Sequence, residues 1–101
     1  MDKEVATQIA KIILRISELY DYTPEEIIGR GKRKRVSEVR YAIYMYLHYE
    51  VGLSSNMIGK YFKRSRYNIL RGIRILRGWM EFHTETKEQY QRLVERLKDN
   101  S

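Results

Sequence analysis

The chain has 101 residues, of which 43% are hydrophobic and 33% charged, with a net charge of +7 and no cysteine. That length suits one domain spanning 1–101 with a core of its own, and the lack of cysteine excludes disulfides and thiolate metal sites. No apolar run approaches the roughly 20 residues of a membrane span, and the acidic start "MDKEVATQIAKIIL" lacks the pattern of a secretory signal, so a cytoplasmic protein with no membrane partner is expected.

One proline and six glycines, set among abundant Leu, Ile, Met, Glu, Lys and Arg, leave little turn chemistry for strands. The expected fold is therefore all-α, a compact domain of five to six helices. The first helix is predicted from about Lys3 to Tyr20, with Val5, Ile9, Ile12, Ile13, Ile16 and Leu19 recurring at helical spacing. A short second helix follows in "DYTPEEIIG": Thr23 as N-cap, Pro24 at the first position, Glu25 and Glu26 in the first turn, Gly29 as the stop. Residues 30–36 then read as a basic loop. Ser37 is expected to cap a third helix running to about Tyr49 and ended by Gly52, with Val39, Ala42, Ile43, Tyr46 and Leu47 inward and Arg40 outward.

Next, Ser54 or Ser55 caps a helix of about two turns ending at Phe62, and "KRS" makes a turn of about three residues. A longer helix starts near Ser65 and runs to about Phe82, with Ile69, Ile73, Leu76 and Met80 as its buried stripe. Short helix, tight turn and long helix make the outline of a helix-turn-helix, whose second helix enters the DNA major groove. Thr84 or Thr86 is expected to cap a last helix, with Tyr90, Leu93, Val94 and Leu97 inward, acting as a brace.

The charge is concentrated in the middle. Residues 29–80 carry thirteen basic and two acidic side chains, whereas the segments before and after are slightly acidic. No acid occurs between Val51 and Met80. Ordinary solvated surfaces mix their signs, so a one-signed stretch of this length implies a polyanionic partner, most often nucleic acid. The loop "GRGKRKR" adds to this: Arg30, Lys32, Arg33, Lys34 and Arg35 precede a helix start, where the peptide dipoles are already electropositive. Phosphates relieve that repulsion by accepting both the free amides and the cations.

The residues that carry a more specific resemblance are "VSEVR" (Val36 to Arg40), opening a helix after a basic loop, and "SSNMIGKYF" (Ser54 to Phe62) at a matching distance. Over roughly residues 8–97 this pattern resembles the C-terminal DNA-binding domain of the bacterial replication initiator DnaA, a fold related to that of the Trp repressor. The resemblance implies duplex DNA read by a recognition helix in the major groove and a basic-loop arginine in the minor groove. By position, Arg30, Lys32 and Arg33 would take the minor groove. Arg40 and the amides near Ser55 and Asn56 would hold phosphates. The family's base-reading signature Gly-Gly-Arg-Asp-His-Thr-Thr is replaced here by "KRSRYN" (Lys63 to Asn68), one residue shorter, with Arg64 on the signature Arg and Ser65, Arg66, Tyr67 and Asn68 on the rest. A base preference different from that family's DNA box follows. The chain holds no Gly-x-x-x-x-Gly-Lys-Ser/Thr loop, so these residues do not supply the ATPase module of that initiator, and a separate ATPase-bearing partner is compatible with the reading.

Base contacts are expected from Ser65, Arg66, Tyr67 and Asn68, since Arg pairs with guanine O6/N7 and Asn with adenine N6/N7. Lys34, Arg35, Arg40, Ser55, Asn56, Lys60, Lys63, Arg64, Arg71 and Arg74 are expected to hold phosphates, which fix register without reading sequence. Six to eight such contacts would give a slope of log affinity against log salt of about −5 to −7.

The tyrosines of "RYAIYMYLHYE" point all round their helix, which favours core and rim duty over base stacking, and Trp79 reads as a core anchor. His48 and His83 are isolated, and no nucleophile elbow or paired carboxylate stands out, so neither a metal, a cofactor nor enzymatic activity is expected. The function implied is sequence-preferring duplex binding at a replication origin, in its regulation, or in transcription, in the nucleoid. Two alternatives use the same charge: a sequence-independent nucleic-acid binder, and a helical adaptor that docks an acidic protein. A homodimer reading paired half-sites is compatible with the first reading.

Overall fold

Capping residues set most of the helix boundaries in the computed structural model, which describes residues 2–29, 31 and 33–99, and of Lys34 the backbone alone. Asp2 accepts the Glu4 N–H at 2.8 Å and opens α1 (Lys3–Tyr20). Thr23 and Glu26 exchange side-chain and backbone hydrogen bonds, both at 3.1 Å, in a capping box around α2 (Pro24–Ile28). Ser54 accepts from Met57 N–H to open α4 (Ser55–Phe62), and Ser65 accepts from Asn68 N–H to open α5 (Arg66–Phe82), each at 3.2 Å. With α3 (Lys34–Tyr46) between the two pairs and α6 (Thr84–Lys98) at the end, the fold is all-α, without a strand among the described residues.

One core joins all six helices. Ile9, Ile13 and Ile16 of α1, Ile27 of α2, Ile43 and Tyr44 of α3, Ile58 and Phe62 of α4, Ile69, Ile73 and Leu76 of α5, and Leu93 of α6 are all buried in it. These are inward positions expected for α1, α5 and α6, with Val5, Ile12, Met80, Tyr90, Val94 and Leu97 half-buried at the margin; Leu19, also expected inward, is half-buried but not part of this core. Helix α5 packs most extensively, against α3, α4 and α6. Its contact with α3 is close because Gly72 has no side chain: a Cβ there would lie 2.7 Å from the Tyr41 ring.

The third helix departs from expectation. It begins at Lys34, not Ser37, with Arg33 as an N-cap that makes no side-chain capping bond. Residues 34–36 are therefore its first turn, and Ser37 lies inside it, buried. Val36 explains the early start, since its burial, two turns before Ile43 with buried Arg40 between them, carries the buried side of the helix back to its first turn. After Tyr46 the helix widens into a π-helical turn (Leu47–Val51) and stops at Gly52, whose φ of 89° suits glycine. The last helix also departs: α5 and α6 are joined by His83 alone, in extended conformation, so Thr84 is the first residue of α6 rather than its cap.

Among the described residues no helix is long and apolar enough to cross a membrane.

Candidate nucleic-acid interface

The turn between α4 and α5 is built on a close approach. Lys63 takes the left-handed conformation, φ 56°, and the Arg64 N–H returns to the Gly59 carbonyl at 2.8 Å. A Cβ on Gly59 would stand 2.5 Å from the Arg64 carbonyl oxygen, so only glycine lets the two helices turn this sharply. Ser65 then starts α5, and Ile69, Ile73 and Leu76 pin one of its faces to the core. The opposite face is thereby turned to solvent. Arg66, Tyr67, Asn68, Leu70, Arg71, Arg74 and Arg77 are all exposed on it.

At the tip of that face Arg66 and Tyr67 act together. The Arg66 guanidinium donates to the Tyr67 hydroxyl at 3.0 Å and lies 4.9 Å from the ring centroid, while Tyr67 itself is 67% exposed. Such a contact limits the guanidinium's freedom without neutralising it. Farther along, Arg77 donates to the Tyr49 hydroxyl at 3.3 Å, linking the far end of the basic face to the π-helical turn.

Two other arginines of the basic block do something different. Arg40 was expected to point outward to a phosphate, but it is 5% exposed. Its Nε donates to the Ile27 carbonyl at 2.8 Å, Nη2 to Glu26 at 3.0 Å and Nη1 to Gly31 at 3.1 Å. Arg64, expected on a phosphate as well, donates through Nη2 to the carbonyls of Gly29 at 2.8 Å and Ile28 at 3.2 Å, and through Nε to the Tyr44 hydroxyl at 3.2 Å. The physical reason is the C-terminus of α2. A helix end leaves carbonyls without amide partners and carries partial negative charge, and a guanidinium satisfies several at once. Burial lowers the Arg40 pKa, with the Tyr44 phenol opposing the shift and the Arg64 charge adding to it. Burial also pushes the Tyr44 phenol up, opposed by the hydrogen bond from Arg64. The two arginines thus clamp the segment that leads into the basic loop.

Of the loop itself, Gly31 and Arg33 are described and exposed, whereas Arg30 and Lys32, assigned to the minor groove, and the side chain of Lys34 lie outside the described residues. A cleft of about 570 Å³ runs between the loop and α5, lined by Gly31, Arg64, Asn68, Arg71, Tyr41 and Trp79 among others. It brings the loop, the turn and the first two turns of α5 into one surface. Arg35 does not join it. That residue lies on the other side of α3, beside Glu38 and the α5–α6 junction.

Lys60 and Lys63 are exposed at the end of α4 and in the turn. Ser54 claims the Met57 amide, leaving the amides of Ser55 and Asn56 as N-terminal donors of α4. Trp79 is half-buried and packs at 6.0 Å from Tyr41. Arg77 and Leu70, also exposed on this face, were not among the residues assigned contacts from the sequence; Arg77 stands one turn beyond Arg74 in the same basic run and was open to the same count.

No protein-family model matches the chain, and no curated protein matches it.

Proposed function

We propose that this chain binds double-stranded DNA with sequence preference, α5 lying in the major groove and the loop around residues 30–33 against the adjoining minor groove. The observation that carries the reading is the solvent face of α5. Arg66, Arg71, Arg74 and Arg77 share it with Tyr67 and Asn68, and no carboxylate occurs on that helix before Glu81. A helix so disposed matches the width of the major groove and the charge of its walls. The preceding short helix and three-residue turn have the lengths of a helix-turn-helix.

In this reading Arg66 and Asn68, with Ser65 and Tyr67 beside them, face base edges. Lys60, Lys63, Arg71, Arg74 and the amides of Ser55 and Asn56 hold the backbone. Arg40 and Arg64 are positioning residues, holding the loop rather than the DNA. The domain then resembles in its action the DNA-binding domain of the replication initiator DnaA, with a different base preference because "KRSRYN" stands where that family reads its box. Origin binding, its regulation or transcriptional regulation is the role this reading proposes, without catalysis by this chain.

Fluorescence anisotropy against a random duplex pool at two salt concentrations, with the bound fraction sequenced, tests the proposal. An enriched motif bound roughly 10³-fold above the pool, with steep salt dependence, supports it. Steep salt dependence without enrichment would replace it with a sequence-independent binder. Absence of binding would leave the cationic face to an acidic protein partner.

A further inference from the structure

Leu70 is the one exposed aliphatic side chain of α5 between Arg66 and Arg77; Ile75 is half-buried and lines the cleft beside Asn68 and Arg71. Leu70 is 37% exposed and takes no part in the core. A scattered exposed leucine, such as Leu14 on α1, needs no explanation. Leu70 is not scattered. Arg66 precedes it by four residues and Arg74 follows it by four, which places all three on one strip of the helix, and Tyr67 stands three residues before it on the same side. Tyr67 and Leu70 therefore form a small apolar spot within a cationic face that otherwise repels apolar partners.

Resting on the DNA-binding reading above, we propose that Leu70 reads the 5-methyl group of a pyrimidine in the major groove. That methyl is the apolar feature that base edges display there; every other distinguishing group is a hydrogen-bond donor or acceptor. An aliphatic side chain one turn inside the recognition helix, with a guanidinium on one side held by the Tyr67 ring, matches a methyl next to a guanine. Thymine and 5-methylcytosine both carry that methyl.

The test uses the full chain and the best duplex from the random-pool selection. Each thymine in turn is replaced by deoxyuridine, which deletes only the methyl, and each cytosine by 5-methylcytosine, which adds it. Anisotropy is measured for the wild type and for Leu70→Ala, whose helical fold is checked by circular dichroism. For a thymine methyl, uracil at one position weakens the wild type about four-fold, the worth of one buried methyl group, and leaves Leu70→Ala nearly unmoved. For a 5-methylcytosine, methylation at one position strengthens the wild type by a similar factor and spares the variant. Equal shifts in both proteins, or no shift at any position, overturn the assignment while leaving DNA binding intact. A wild type that enriches no duplex overturns the parent reading first, and this inference with it.

Discussion

Arg40 and Arg71 differ little as sequence: each lies on a helix, within the same basic block, with apolar residues around it. In the fold they are opposites. Arg40 is buried with its guanidinium spread over three backbone carbonyls, and Arg64 repeats the arrangement on two more. Arg66, Arg71, Arg74 and Arg77 stand in solvent on α5. The contrast teaches that a basic block is not a uniform ligand-binding device. Part of its charge is consumed internally, at the C-terminus of α2, and that part holds the loop in place for the charge left free.

The sharpest way to break the comparison is to remove a buried arginine. Arg40→Met strands three carbonyls, and at ~1 kcal/mol for each lost bond the domain should lose about 3 kcal/mol of stability. In a domain of this size that corresponds to a fall in melting temperature on the order of 15 °C, which calorimetry would record. Arg40→Lys should recover only a fraction, because an ammonium cannot present the guanidinium fork. A melting temperature unchanged by Arg40→Met would put this arginine back among the free cations.

Gly59→Ala should come next, costing about 1–3 kcal/mol in chemical denaturation, because the added methyl meets the Arg64 carbonyl rather than a side chain that can move. It tests whether the turn that aims α5 depends on that close approach. On the free side, Arg71→Gln and Arg74→Gln should leave the melting temperature within about 2 °C and each reduce the salt slope of duplex binding by about 1 unit. The smallest effect expected separates bases from backbone within the free set. Arg66→Ala should relax specificity at one position by roughly 1–3 kcal/mol, whereas Lys63→Ala should weaken all duplexes alike. Uniform loss in both variants would remove Arg66 from the base-reading set.

How far the sequence reached depended on whether the deciding partner was local. Thr23, Ser54 and Ser65 act on amides three residues away, and the helix starts they set were legible as residue types at fixed spacing. Ile69, Ile73 and Leu76 were legible through their period. Ser37 had the residue type of a cap but not the role, because the burial of Val36 draws the helix a turn earlier. For Arg40 no local signal exists: its acceptors lie nine to fourteen residues back, and those of Arg64 thirty-five and thirty-six. Arg35 likewise shares the composition of the loop but sits on the far side of α3. Leu70 was passed over for the opposite reason, since an aliphatic residue in a helical run reads as core until the fold shows it outside.

The division of the basic block is tested most directly by the salt dependence of the wild type on its preferred duplex. Arg33, Lys60, Lys63, Arg71 and Arg74 are exposed, and on the proposed reading they neutralise phosphates, so log affinity should fall against log salt with a slope of about −4 or steeper. A slope near zero would contradict the account, because free arginines on α5 that release no counterions are not holding DNA.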